Sequence, residues 1–363
     1  MMSALAERLS ARTLELVDIP SQSLHEERIR AHLLTLVPPA LAPAFEGDEA
    51  FLFLPPHRTG VPLVVLAGHY DTVPAQENIP GRITEGAVHG LGASDMKAGV
   101  AVAVELVRDL TARGSVPVDV GLLLFGREEL SVEHDPLPAL LEQCERVREA
   151  TLAILLEPTD GRIEAGCLGN LLAELVFHGR SGHSARPWLA ENAIAKAVDA
   201  LRTLTGHPLR EAVVGGLTFV ESLSVTRLAA GIADNVIPDR AVATVSLRYA
   251  PDRSPEDAER FLQSLVPAGA TLEIRSNSPA GGVVTDTPPV RALLRAGARD
   301  IQPKQAWTNV ADFTARGLDA VNFGPGDPAF AHRRDEKVET SALVHAYETL
   351  HRFLTTAIEE DGR

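Results

Sequence analysis

The chain has 363 residues, enough for two hydrophobic cores, and 45% of them are apolar with no low-complexity tract, which excludes an intrinsically disordered chain. A formal charge of −15 works against binding nucleic-acid phosphate or an anionic membrane, because either would add repulsion instead of releasing counterions. Cys144 and Cys167 are the only cysteines, the amphipathic N-terminus lacks the apolar core of a signal peptide, and no stretch reaches the ~20 apolar residues of a membrane span; a cytoplasmic protein with reduced thiols is expected.

In chain order, two amphipathic helices come first. The second is expected to open at Ser23, with Glu26 completing a capping box ahead of "RIRAHLLTLV". Apolar runs at 62–68 ("PLVVLAG"), 118–126 ("VDVGLLLFG"), 151–157 ("TLAILLE") and 319–324 ("DAVNFG") predict strands buried on both faces. Between the first two, about 96–114 reads as a helix ended by Gly114, so the order strand, helix, strand implies a sheet with parallel members. From about Leu171 the pattern changes. "LLAELVFHG", "LTFVESLSVTRL", "AVATVSLRY" and "TLEIRSNS" read as strands, and "ENAIAKAVDALRTL" and "SPEDAERFLQSLV" as helices. Their order, β-α-β-β-α-β, is that of a ferredoxin-like sandwich. The expected architecture is α/β: a domain of residues 1–173 and 285–363 around a mostly parallel central sheet, with an inserted α+β domain of 174–284 hinged near "CLGN" and "SPAGG". The chain is expected to close in a helix over "SALVHAYETLHRFLTTAIEE".

The polar residues of the first domain gather at strand ends. His69 and Asp71 follow one strand, Glu128 and Glu129 a second, Glu157 a third, His332 lies in the loop after a fourth, and Asp95 begins a helix. Open α/β sheets bind ligands outside the carboxyl ends of their strands, so these groups are expected to share one crevice. So many acids and imidazoles would repel and desolvate one another unless a cation held them. Two histidines with three carboxylates suit zinc or a similar divalent ion, and five ligands suit two ions sharing a carboxylate. Within that set His69 is a metal ligand and Asp71 orients its ring; singly, the His-x-Asp pair also fits a surface loop or helix cap. In "FGREEL" Glu129 is assigned to metal and Glu128 to proton transfer, although an adjacent acid pair alone also fits a solvated turn.

With these residues in place, the sequence resembles the di-zinc aminoacylase and carboxypeptidase family of metallopeptidases, and within it the actinobacterial-type succinyl-diaminopimelate desuccinylases. The stretches that carry the resemblance are "GHYDTVP", "GLGASDMKAG", "GREEL", "LLEPT", "GRSGHSARPWLAENAI", "DNVIP", "VSLRYAP", "WTNVADF" and "NFGPGDPAFAHRRDE", in the family's order along most of the chain. The resemblance implies His69 and Glu157 on one zinc, Glu129 and His332 on the other, and Asp95 bridging, with cobalt or manganese as possible substitutes. It also implies a cis peptide between Asp95 and Met96, and makes Glu128 the general base. His183 would reach the oxyanion from the inserted lid and dimerisation domain, and Asn235 and Arg248 would contact the substrate. The implied activity is hydrolysis of the amide of an N-acylated amino acid by a homodimer, in lysine biosynthesis. Open alternatives are an acetylornithine- or acetyl-lysine-type deacetylase, a dipeptidase or carboxypeptidase, and a catalytically silent binding protein.

One segment departs from the resemblance. "TNVADF" has Asn309 where the desuccinylases have an aspartate and Asp312 where they have an arginine. An arginine there suits a substrate carboxylate, whereas Asp312 would repel one. A substrate with a cationic distal end, or without the second carboxylate, is therefore expected, unless Arg186, Arg227 or Arg316 supplies the missing positive charge.

Overall fold

A computed structural model describes residues 3–208 and 210–358, and the chain divides into two compact units. The first comprises residues 1–166, 284–302 and 312–363; the second comprises 167–283 and 303–311.

The first unit is built on an eight-stranded sheet. Its middle is parallel: Asp119–Phe125, Leu63–His69, Ala150–Leu155 and Ala320–Asn322 lie side by side in that order. Every residue of Leu63–His69 and Asp119–Phe125 is buried, as continuous apolar runs require in a sheet covered on both faces. Antiparallel strands flank this middle, Ala50–Leu54 and Ala42–Glu46 on one side and Ile163–Ala165 on the other. The helix Lys97–Arg113 packs its Ala- and Val-rich turns into the core and stops at Gly114, whose φ of 94° admits few other residues. Gly99 of this helix abuts the backbone of Leu156, and Gly324 that of Leu156 and Glu157, so closely that a Cβ on either would collide with it. These contacts fix where the third parallel strand ends.

The second unit is a four-stranded antiparallel sheet in the order Ser222–Ala230, Arg240–Tyr249, Gly169–His178, Ala270–Ser278. Numbered along the chain these are strands 2-3-1-4, the ferredoxin-like order, and helices Ala193–Thr205 and Pro255–Ser264 supply its apolar layer. Strand Arg240–Tyr249 alternates strictly, burying Ala241, Ala243, Val245, Leu247 and Tyr249. Asn192 and Ser254 cap the two helices through their side chains.

Several expectations are corrected. A boundary at 174 would cut Gly169–His178, which pairs along its whole length with Arg240–Tyr249; the second unit instead starts at 167 and also takes in 303–311. "LTFVESLSVTRL" is two strands, Leu217–Val220 and Ser222–Ala230, interrupted at Glu221, whose buried carboxylate accepts from Arg210, Arg253 and the Ala250 N–H. Ala42–Glu46, Ala50–Leu54 and a small sheet of Arg82–Thr84, Ala87–His89 and Lys337–Glu339 were not anticipated. No capping box forms: the second helix, Glu27–Leu36, has no side-chain cap, and the Ser23 hydroxyl is used elsewhere. The last helix runs over Thr340–Thr355; residues 359 and 360 of its expected span lie outside the described residues.

Candidate metal centre

Parallel strands place their carboxyl ends along one edge of a sheet, so residues just past 69, 125 and 155 become neighbours despite their separation in sequence. His69 is the last residue of its strand and fully buried. Its Nε2 lies 3.3 Å from Asp95 Oδ1, 3.8 Å from Glu157 Oε1 and 3.9 Å from Glu128 Oε2. On the other side of Asp95, its Oδ2 is 3.6 Å from His332 Nε2, which is 2.9 Å from Glu129 Oε1. Asp95 therefore presents one carboxylate oxygen to each imidazole. Donor atoms of His69, Asp95 and Glu129 all lie within 4.8 Å of one another. Imidazole nitrogens and carboxylate oxygens at such spacing fit divalent ions, and the shared carboxylate fits a pair of them. The Asp95–Met96 peptide is cis, as the resemblance implies.

The support of His69 is specific. Its Nδ1 lies 3.3 Å from Asp71 Oδ1 and 3.2 Å from the Asp71 carbonyl oxygen, which favours a proton on Nδ1 and a lone pair on Nε2. Asp71, fully buried, accepts three more hydrogen bonds: from Ser23 Oγ at 2.7 Å and from the backbone N–H groups of Glu128 and Glu129 at 3.1 and 3.2 Å. One carboxylate thus sets the His69 ring and the Glu128–Glu129 turn together. The hydroxyl expected to cap a helix is the one that serves it. Residues 21–23 run beside Thr72, joined by Thr72 N–H to the Ser21 carbonyl and Ser23 N–H to the Thr72 carbonyl.

The electrostatics follow from this crowding. Burial opposes the Asp71 charge, yet His69, Ser23 and the Glu129 N–H hold its carboxyl below the usual range. Burial would likewise lower His69, but hydrogen bonds to Asp71 and Asp95 and the Glu128 charge hold it well above its ordinary value. Burial pushes the Glu128 carboxyl well up; the His69 charge opposes this, and Glu157, Glu129 and Asp95 add to it. Glu129 rises for the same first reason. His332, hydrogen-bonded to Glu129, is pushed up to about 9. Left to themselves these groups hold protons to limit their mutual repulsion, and divalent cations would replace those protons.

The sequence suggests only a helix cap for Ser23 and no role for Glu336, Lys97 or Gln76. Lys97 is buried and donates from Nζ to the Ile19 carbonyl at 2.8 Å, and Gln76 Nε2 donates to the His332 carbonyl at 2.9 Å. Glu336 lies in the "HRRDE" stretch, buried although residues 332–335 are exposed, and the sequence marks it only as a carboxylate four residues after a candidate ligand.

The second unit carries the other expected residues. His183 pairs with Val236 in a two-residue ladder that puts it beside Asn235, whose carbonyl accepts from Ser184 N–H at 3.0 Å. His183 Nδ1 accepts from Ala185 N–H at 3.1 Å, so a neutral ring carries its proton on Nε2 and is exposed to donate it. Arg248 lies between Ser222 and Asn170 in the sheet, and Asn309 is buried in segment 303–311. Asp312 belongs to the first unit and shares a hydrogen bond with Asp135, whose carboxyl is pushed up to about 8 by burial and then by Asp312. Arg316 donates to the Asp312 carbonyl at 3.0 Å and pairs with Glu142 at 3.2 Å, while Arg186 and Arg227 are exposed in the second unit.

The chain is similar to known proteins along most of its length. A Mycobacterium tuberculosis protein with the provisional name succinyl-diaminopimelate desuccinylase DapE is 38% identical over 348 residues, covering 94% of this chain and 96% of the relative. The succinyl-diaminopimelate desuccinylase of Corynebacterium glutamicum is 35% identical over 353 residues, covering 94% and 95%. Among solved structures, an M20-family metallo-carboxypeptidase from Sulfolobus solfataricus shares the fold with a TM-score of 0.75 at 18% identity, over 98% of this chain and 99% of its own. Residues 65–356 match the model of peptidase family M20/M25/M40, a span that includes all five candidate ligands, and the chain belongs to that family.

Proposed function

We propose that this protein is a two-metal amidohydrolase that cleaves the amide bond of an N-succinylated or similarly acylated amino acid, in the manner of the desuccinylases it resembles. The observation that carries this reading is Asp95, with one oxygen toward each histidine and Glu128 close by. His69 and Glu157 would hold one ion, Glu129 and His332 the other, and Asp95 both. Zinc suits this donor set best, with cobalt or manganese as substitutes. When bound, such ions supply Lewis-acid polarisation of the acyl carbonyl and lower the pKa of water.

The chain's own residues do the rest. The Glu128 carboxylate takes a proton from the attacking water as the new C–O bond forms, then delivers it to the departing nitrogen as the C–N bond breaks. Asp71 keeps the His69 Nδ1 proton in place throughout. His183, through Nε2–H, is assigned to the oxyanion, and Asn235, Arg248 and Asn309 to substrate contacts. The edge strand Ser222–Ala230, with exposed Ile194, Val198 and Leu228, supports a homodimer formed through the second unit. No helix among the described residues is long and apolar enough to cross a membrane, and the cytoplasm is the proposed location.

Asp312 favours a second reading on the same scaffold: an acyl-amino acid with a cationic distal end, such as an ornithine- or lysine-like side chain. Its support is the carboxyl pair with Asp135 where an arginine was expected. A metal-reconstituted screen of succinyl-diaminopimelate, acetylornithine, acetyl-lysine and dipeptides decides between them. Chelator-sensitive turnover of the first substrate supports the desuccinylase reading, and preference for the second or third supports the cationic one. A requirement for a free amine would indicate a dipeptidase, and no turnover of any substrate would overturn both readings.

A further inference from the structure

Glu336 is a carboxylate with 2% of its surface exposed, and the chemistry above leaves it unused. Its Oε1 accepts from the backbone N–H groups of Ser94 and Asp95 at 2.9 and 3.0 Å, and its Oε2 from that of Gly92 at 2.9 Å. Its own carbonyl accepts from Gly90 N–H at 3.1 Å. One residue thereby gathers the loop that delivers Asp95. Burying a carboxylate costs several kcal/mol unless hydrogen bonds replace its water, and here three backbone donors do so.

The same segment begins at His332. It is held at one end by Gln76 and Asn78, which donate to the carbonyls of His332 and Arg333, and at the other by the pairing of Lys337–Glu339 with Ala87–His89. Ser94 Oγ also donates to the Asp327 carbonyl at 2.9 Å. The loop of the shared ligand and the loop of His332 are therefore one hydrogen-bonded body, with Glu336 at its centre.

We propose that Glu336 is a positioning residue that locks the Asp95 loop to the His332 loop, so that both ion sites are set together. This rests on the two-metal reading given above. Without Glu336 the backbone N–H groups of Gly92, Ser94 and Asp95 lose their acceptor, and both sites would loosen at once. A residue that merely stabilised the fold would lower the melting temperature and leave the affinities of the folded protein alone.

The test is a competitive chelator titration with zinc on the full chain. Wild-type protein that takes up two ions upholds the two-metal reading, independently of this proposal; uptake of none sinks that reading first. Glu336→Gln keeps the volume but turns an amide N–H toward a backbone N–H. It is expected to weaken both ions by roughly 10–100-fold, the usual scale for groups that orient metal ligands. With zinc saturating, kcat should fall and KM stay near that of wild type. Glu339→Gln, an exposed change in the same segment, should leave both affinities unchanged. Glu336→Gln protein that binds both ions within about twofold of wild type overturns the proposal. If that variant does not fold, amide hydrogen exchange of the wild type decides: slow exchange across residues 92–95 supports the lock, and exchange as fast as in an exposed loop refutes it.

Discussion

His69 and Asp71 of the first unit and His183 and Asn235 of the second are held in opposite ways, whereas His332, an exposed candidate ligand, and the buried Asn309 do not follow that division. In the first, His69 and Asp71 are fully buried, and the backbone on either side of the candidate ligands is committed to other parts of the protein. In the second, His183 stands exposed on a ladder two residues long, and Asn235, also exposed, directly precedes that ladder's Val236. The difference separates two tasks. Metal chemistry needs ligands fixed before the ion arrives, whereas contact with a substrate tolerates groups that complete their geometry on binding. Substitutions in the first unit should therefore disturb metal or proton transfer, and those in the second should act on the bound substrate.

The largest expected effect is at Glu128. Glu128→Gln should keep two ions and lose turnover by about 10²–10⁴-fold, and a near-normal rate would remove Glu128 from proton transfer. His183→Ala should come next, with a drop in kcat of about 10²–10³-fold and unchanged metal content; altered metal content would break the division between the units. Ser23→Ala should weaken zinc by roughly tenfold while Ser23→Thr restores it, read by chelator competition, because only a hydroxyl serves Asp71. Asp312→Asn should have the smallest effect, on stability. A raised Asp135 pKa means that the folded chain holds a proton the unfolded chain has lost, so the pair destabilises increasingly as pH rises from about 4 to about 8. Relieving it should raise stability by about 1–3 kcal/mol at pH 8 and by less at pH 5, measured by thermal unfolding at both values.

Much of the first unit was legible because its strands are uninterrupted apolar runs, and a polar residue at the end of such a run is conspicuous. His69 and Glu128–Glu129 could be found that way. Ser23 could not. Its spacing from Glu26 satisfies a helix-capping rule, and only the fold reveals an aspartate 48 residues on as the competing acceptor. Ala50–Leu54 was missed although it too is an uninterrupted apolar run with all five residues buried. The domain limit slipped because Gly169 and Asn170 look like a hinge but already lie in register with Tyr249 and Arg248. Asp312 was visible as a departure, but its partner Asp135 lies far away in sequence and carries no motif.

The strip of chain at 21–23 that lies along Thr72 has a practical consequence for anyone handling this protein. A clipped or N-terminally shortened preparation lacking those residues would retain all five candidate ligands and Glu128. It would lack the hydroxyl that steadies Asp71 and, if shortened from the N-terminus, also the helix Ala4–Val17, whose Leu9, Leu16 and Val17 lie in the core, so poor zinc retention in such material would report lost support around a complete set of ligands.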